Sequence, residues 1–317
     1  MDDGIKTPIT HSKSYLSFCD ASLPPFSIEF RNAYWSYNWQ FDGVHIGHQA
    51  LIQKLIEESK RRKITPSVMT FEPHPKEFFV PENAPTRLTS LREKLEFFLS
   101  CGVENVFVCA FNKKFASISS DMFMHQILKE QLKAKLIIVG DDFRFGAQRL
   151  AGIEDLRKSG FELFEIPEID VRGKRVSSTS IREDLKEGRI ESVNTFLGRP
   201  YTISGKVVEG DKRGRQMGFP TANIHMKHTR PALTGVYAVK LGHRNGVANL
   251  GIRPTVAGIP KLLLEVHLLD FNEDIYGQHV QVTFLEKIRD EMKFENINAL
   301  IEQIKKDVVY ATRFFEK

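Results

Sequence analysis

Cysteine is scarce. Cys19, Cys101 and Cys109 are the only three in 317 residues, and an odd number with neither metal-ligand spacing nor a disulfide framework points to a reducing compartment. No run of about 18 apolar residues occurs, and the N-terminus lacks a basic segment followed by an apolar one, so neither a membrane span nor a secretory leader is expected. The chain reads as cytoplasmic. Neither sign of charge dominates: a net charge of +5 suits small anionic ligands as readily as nucleic acid, and because the basic residues are thinly spread, no nucleic-acid partner is expected. No internal repeat is visible. What remains is an ordinary globular composition, 41% hydrophobic and 27% charged, on a chain long enough for two cores.

Residues 1–40 are the least regular stretch and show no clean strand period, although a nucleotide-binding fold would want its first strand there. Beyond His48, Leu51, Leu55 and Ile56 fall at helical spacing, and Ser67–Phe71 reads as a strand. A second helical stripe, Leu88, Leu91, Leu95, Phe98 and Leu99, precedes the strand Val106–Ala110. A third, Ile127, Leu128 and Leu132, precedes Leu136–Val139. Such alternation predicts a parallel sheet covered on both faces, with ligands beyond the carboxyl ends of its strands. After Gly198-Arg199-Pro200 the pattern changes to partly alternating segments, Thr202–Val208, Val236–Leu241, Leu262–Leu268 and His279–Phe284, split by turn residues. That is the mark of a small antiparallel barrel or sandwich. A last helix carries Leu300, Ile301, Ile304 and Val308 on one face, and the boundary between the halves falls near residues 185–200.

The first candidate site is Phe41–His48, FDGVHIGH. A glycine flanked by two imidazoles at a helix entrance lets the backbone approach a polyphosphate while ring N–H groups and the helix dipole meet its charge. Three other segments belong at strand ends: FEPHP (Phe71–Pro75), GDDFRFG (Gly140–Gly146) and SSTSIRE (Ser177–Glu183). In the last, hydroxyls precede Arg182 at a helix start, where they cap N–H groups or meet phosphate oxygens; by itself it is an ordinary N-cap. Arg144, between two phenylalanines, reads alone as packing.

The second candidate site is Gly214–Asn223, GRQMGFPTAN, preceded by Asp211, Lys212 and Arg213. No Gly-Lys-Ser/Thr closes it, so it is not a P-loop. Its glycines, Gly214 and Gly218, still allow backbone N–H groups to wrap phosphates, and the Thr221 hydroxyl and Asn223 carbonyl are hard oxygen ligands suited to Mg2+. Glu265 sits in the apolar strand LLLEVHLLDF, where it is either a glutamate facing water or a base bordering a pocket.

In order along the chain stand FDGVHIGHQ, TFEPHP, RLTSLREK, VGDDFRFG, SSTSIR, LGRPY, GDKRGRQMGFPTANI, GVYAV, NLGIRPT, LEVHLLDF, YG and IRDEMKF. Together they resemble the bacterial bifunctional riboflavin kinase/FAD synthetase family over roughly residues 41–315. The resemblance implies a Rossmann-like α/β nucleotidyltransferase domain of the HIGH class, residues 1–185, and an antiparallel β-barrel riboflavin kinase domain with a terminal helix, residues 186–317. It also implies riboflavin, FMN and ATP as substrates, with Mg2+. For ATP in the first domain it marks Phe41, Asp42, Gly43, His45 and His48 with Ser178, Thr179 and Arg182, of which His45, His48 and Arg182 act in catalysis. For ATP in the second it marks Gly214, Gly218, Pro220, Thr221 and Asn223, the last two as metal ligands, with Glu265 as base for the ribityl 5′-hydroxyl. Asp142, Arg144 and Arg289 fall to flavin binding.

One stretch departs from the pattern. Where the family writes roughly TIGNFDGVH, this chain has Tyr37-Asn38-Trp39-Gln40 before Phe41, and a tryptophan in place of glycine would obstruct the nucleotide. That predicts either an impaired adenylyltransferase beside an intact kinase, or a stretch read out of frame. Codons TAC-AAT-TGG-CAA followed by T spell Thr-Ile-Gly-Asn one base later, and codons at these positions that do not would end the second explanation.

Overall fold

The computed structural model describes residues 15–18, 33–37, 41–210, 213–226, 230–253 and 261–317, the first two segments as backbone alone. Asn38, Trp39 and Gln40 lie outside the described residues, as do Asp211 and Lys212. The chain forms two compact units; among the described residues one takes those between 15 and 85 and 91–177, the other 86–90 and 178–317.

The first unit is built on six parallel strands: β1 (Tyr15–Phe18), β2 (Ala33–Tyr37), β3 (Thr65–Glu72), β4 (Asn105–Ala110), β5 (Leu136–Gly140) and β6 (Glu162–Ile166). Their order is β1-β4-β3-β2-β5-β6. Two strands thus come from the stretch that shows no strand period. β2 lies at the centre, paired with β3 and β5, where long-range partners rather than local alternation define it. Both sheet faces are buried: Val68, Val106, Leu136 and Ile138 pack on one side with Leu51, Ile52 and Leu55 of helix α1 (Ile46–Arg62), while Met69, Phe71, Phe107, Ile137 and Val139 pack on the other. Two-sided burial explains why these strands read as continuous apolar runs. At the end of α1, Arg61 first and Lys54 next hold the Glu58 carboxyl down to about 2 against the opposing effect of burial.

Two helices differ from the expected stripes. Helix α3 begins at Leu91 (Leu91–Ser100), so Leu88 is buried outside it, in the segment grouped with the second unit. The third stripe lies on a π-helical segment, Phe123–Gln131, whose wider turn still buries Leu128. Between β3 and α3 runs the short helix α2 (Pro75–Phe79).

The second unit contains helices α4 (Ser178–Lys186) and α5 (Ile190–Leu197) and a closed antiparallel barrel. Its strands are β7 (Thr202–Val208), β8 (Ala222–Met226), β9 (Gly235–Leu241), β10 (Arg244–Arg253), β11 (Lys261–Leu268) and β12 (His279–Arg289). Going round the barrel the order is β7-β8-β11-β10-β9-β12. Sequence periodicity did not single out β8, which is only five residues long, or β10, where Gly246 and Gly251 interrupt the pattern. The terminal helix α6 (Ile297–Phe315) lays Ala311, with half-buried Val308, Phe314 and Phe315, on Val236, Ala238 and Val247 of the barrel's outer face.

Candidate active sites

In the first unit the strand order turns back between β2 and β5, and the chain leaving β2 enters the Phe41–Val44 turn. A crevice at such a reversal is where ligands bind on parallel sheets. The turn is held in left-handed backbone at Phe41 (φ 32°), Gly43 (φ 82°) and Val44 (φ 41°). That conformation is costly for a β-branched residue, so packing must impose it. Phe41 is fully buried, edge-on to Phe98 with centroids 5.1 Å apart, and Gln49 donates to the Val44 carbonyl at 2.9 Å.

This anchoring buries three polar side chains, Asp42, His45 and His48, each less than 8% exposed. The His45 and His48 rings stack with centroids 3.7 Å apart and 18° between planes. His45 is the N-cap of α1, its Nδ1 accepting from the His48 N–H at 3.4 Å, which in the neutral ring leaves the proton on Nε2. Gly47 makes room for that ring: a Cβ there would lie 3.1 Å from it. The sequence thus delivers two imidazoles at the N-terminus of a 17-residue helix, an anion-binding arrangement.

The exposed pair Phe78 and Phe79 on α2 was not read from the sequence as functional. Both sit edge-on to Phe111, at 5.7 Å and 5.6 Å, just past the carboxyl ends of β3 and β4. Phe79 is 61% exposed, an unusual state for phenylalanine, and the FF doublet after FEPHP was the available signal. Nearby Cys109 is not a nucleophile, because burial pushes its thiol up to about 12.

Ser178, Thr179 and Arg182 belong to the second unit, on the first turns of α4; the Arg182 Nε donates to the Thr86 carbonyl at 2.6 Å. In the barrel, Asn223 of β8 is the register partner of Glu265 on β11, and Glu265 in turn faces Asn249 on β10. Directly opposed residues on antiparallel strands place their Cβ atoms about 5 Å apart. The rows on either side, Ala222–Val266–Ala248 and Ile224–Leu264–Leu250, point into the barrel core. Asn223 and Glu265 therefore stand together on the outer face. Thr221 leads into the same strand and lines a cavity of about 300 Å³ with Pro220, Arg215, Val266, Phe271 and Tyr276.

Gly210 and Gly214 lie close against Asn223 and Thr221, the two residues expected to hold Mg2+. A Cβ on Gly210 would fall 2.3 Å from the Asn223 carboxamide, and one on Gly214 would fall 2.4 Å from the Phe219 carbonyl and 3.2 Å from the Thr221 hydroxyl. The loop thus folds back on the PTAN segment, with the Phe219 N–H donating to the Gly214 carbonyl at 2.8 Å. Gly218 takes φ 87° in the same loop.

Comparison with known proteins agrees with both halves. A FAD synthetase family model matches residues 40–180 and a riboflavin kinase family model residues 197–315. A bifunctional riboflavin kinase/FMN adenylyltransferase of Escherichia coli strain K12 is 45% identical over 284 residues, covering 87% of this chain and 90% of that protein. The chain belongs to this bifunctional family. The Haemophilus influenzae member is 41% identical over 284 residues, 87% of this chain and 92% of its own. The crystal structure of a macrolide-efflux protein from Streptococcus pneumoniae superposes with a TM-score of 0.74 at 29% identity, covering 89% of this chain and 94% of that one.

Family membership brings a FAD synthetase domain and a riboflavin kinase domain together in one chain, and nothing in these comparisons favours a kinase acting alone. The FAD synthetase match begins at Gln40, the last residue of the divergent stretch. Among the described residues no helix is long and apolar enough to cross a membrane.

The three residues assigned to flavin are differently placed. Asp142 is exposed and lies 3.4 Å from Arg175. Arg144 is exposed while Phe143 and Phe145 on either side are buried with stacked rings 5.5 Å apart, and its guanidinium lies beside Gly152. Arg289 commits its guanidinium to buried Asp307 of α6 through bonds of 2.8–3.1 Å, which ties the last barrel strand to the terminal helix.

Proposed function

We propose that residues 186–317 transfer the γ-phosphoryl group of ATP to the 5′-hydroxyl of riboflavin, and that residues 1–185 join the AMP part of a second ATP to the FMN so formed, releasing pyrophosphate. The observation that carries the kinase half is the register pairing of Asn223 with Glu265 on the outer face of the barrel, two residues beyond Thr221. Phosphoryl transfer needs positioning and charge neutralisation more than covalent help. Glu265 accepts the hydroxyl proton as the new O–P bond forms and the bond from the γ-phosphorus to the β-phosphate oxygen breaks, releasing ADP, and the loop through Gly214 and Gly218 offers backbone N–H groups to the phosphates. Pro220 and Thr221, at the exit of that loop, are proposed to meet the nucleotide. The Thr221 hydroxyl and Asn223 carboxamide oxygen, with Gly210 leaving no room for anything larger than hydrogen, suit a hard divalent ion. Thr221 and Asn223 would hold Mg2+ there, which would supply charge neutralisation to the phosphates.

In the other half the FMN phosphate is already ionised, so no strong base is needed. A phosphate oxygen attacks the α-phosphorus of ATP and the bond to pyrophosphate breaks. His45, His48 and the N-terminus of α1 stabilise the charge that develops, with Phe41, Asp42 and Gly43 shaping the approach. Ser178, Thr179 and Arg182, which the resemblance assigns to ATP, stand at the start of α4 in the second unit. Phe78, Phe79 and Phe111 offer aromatic edges and faces to a flat isoalloxazine ring, and Asp142 and Arg144 are the polar candidates on the same unit.

Product analysis with riboflavin and with FMN as separate substrates, each with Mg2+ and ATP, tests both halves. Riboflavin is expected to give FMN and FAD, and FMN to give FAD. FMN without FAD would overturn the adenylyl assignment, and no FMN from riboflavin would overturn the kinase assignment.

A further inference from the structure

His267 has no part in the mechanism above, yet it stands two residues beyond Glu265 on β11 and so on the same outer face of the barrel. Its Nδ1 lies 2.8 Å from the carbonyl oxygen of Pro220, and its ring meets Phe219 edge-on with centroids 5.5 Å apart and 82° between planes. Pro220 has no N–H and so cannot be fixed through a donor of its own. The Pro220 carbonyl belongs to the same rigid peptide plane as the Thr221 N–H. Holding that oxygen sets the plane from which the Thr221 side chain projects.

We infer that His267 is a positioning residue for phosphoryl transfer: by donating from Nδ1 to the Pro220 carbonyl it clamps the exit of the glycine-rich loop onto the strand that carries Glu265, fixing Thr221 relative to that carboxylate. The inference rests on the kinase reading of Thr221, Asn223 and Glu265. The loop exit is otherwise tied to its own entrance, through the Phe219 N–H and the Gly214 carbonyl, and enters the ladder only at Ala222, opposite Val266. The segment between those two points contains Pro220 and Thr221. A carbonyl only accepts, so the ring is protonated at Nδ1 whether neutral or cationic.

The test compares His267→Phe, which keeps a ring against Phe219 but removes the donor, with His267→Asn, whose carboxamide N–H stands where Nδ1–H was. In the full chain, His267→Phe is expected to lower kcat/KM for ATP in riboflavin phosphorylation about tenfold, chiefly through KM, with the KM for riboflavin and the rate of FMN adenylylation unchanged. His267→Asn is expected to restore most of the loss. Wild-type kinetics in His267→Phe, or equal loss in the two variants, would overturn the clamp. Should His267→Phe fold poorly, nitrogen-15 NMR of the wild-type imidazole decides: a hydrogen-bonded Nδ1–H supports the clamp, and a ring protonated only at Nε2 refutes it. Asn223→Ala measured alongside separates the two levels. If that variant keeps full kinase activity the underlying site reading fails, whereas its inactivity beside an unaffected His267→Phe sinks only the role of His267.

Discussion

Glu265→Gln is expected to lower riboflavin phosphorylation by a hundred- to ten-thousand-fold, roughly the range of general-base catalysis, while the same protein adenylylates added FMN at its normal rate. The substitution is nearly isosteric and keeps the strand register with Asn223 and Asn249, so fold and ligand pair are preserved and only the proton acceptor is lost. Because Glu265 lies on the outer face with buried rows pointing away on either side of it, its removal should not disturb the barrel core. Initial rates of FMN formation from riboflavin, set against FAD formation from FMN on one preparation, provide the measurement. Kinase turnover within a few-fold of wild type would remove Glu265 from the mechanism.

The second large effect is expected at the other end of the chain. His48→Ala should cut the turnover number for FAD formation from FMN by about a hundred- to a thousand-fold, the usual cost of losing one preorganised donor to developing charge, and leave FMN formation intact. The His48 side chain is 6% exposed and stacked on His45, so its ring is held in place before substrate arrives. His45 is a less clean target, since its Nδ1 also caps α1 and removing a cap costs about 1 kcal/mol of stability. His45→Asn keeps a capping oxygen and removes the ring, and should lower FAD formation without lowering the melting temperature appreciably. FAD formation unchanged in both variants would mean that the imidazoles serve packing alone.

Much of this was legible in advance because the informative signals are local. The helical stripe at Leu51 and Leu55 lies on α1, and the run Leu136–Val139 is β5 short of its last residue. The alternation in Thr202–Val208 is β7 to the residue. The proposed donor sets are equally local, since His-x-Gly-His and Pro-Thr-Ala-Asn each span four residues. Less legible were β2, whose place at the centre of the sheet is decided by β3 and β5, and the barrel strands β8, only five residues long, and β10, whose Gly246 and Gly251 serve close approach. Phe78 and Phe79 escaped notice because an aromatic pair in a sequence says nothing about exposure. Arg289 was assigned to flavin, yet its nearest commitment is Asp307, 18 positions further on.

From its residues alone this protein was committed to two units, a parallel nucleotide-type sheet followed by an antiparallel barrel or sandwich, each with a short motif proposed to seek phosphate. Periodicity and short motifs are properties of neighbouring positions, and a chain displays them before it folds. Closure of the barrel, the placing of Glu265 opposite Asn223, 42 positions earlier, and the reach of His267 back to Pro220 were decided only in three dimensions. Strand register depends on which distant segment completes the hydrogen-bond ladder and which face is buried, and no local pattern encodes either.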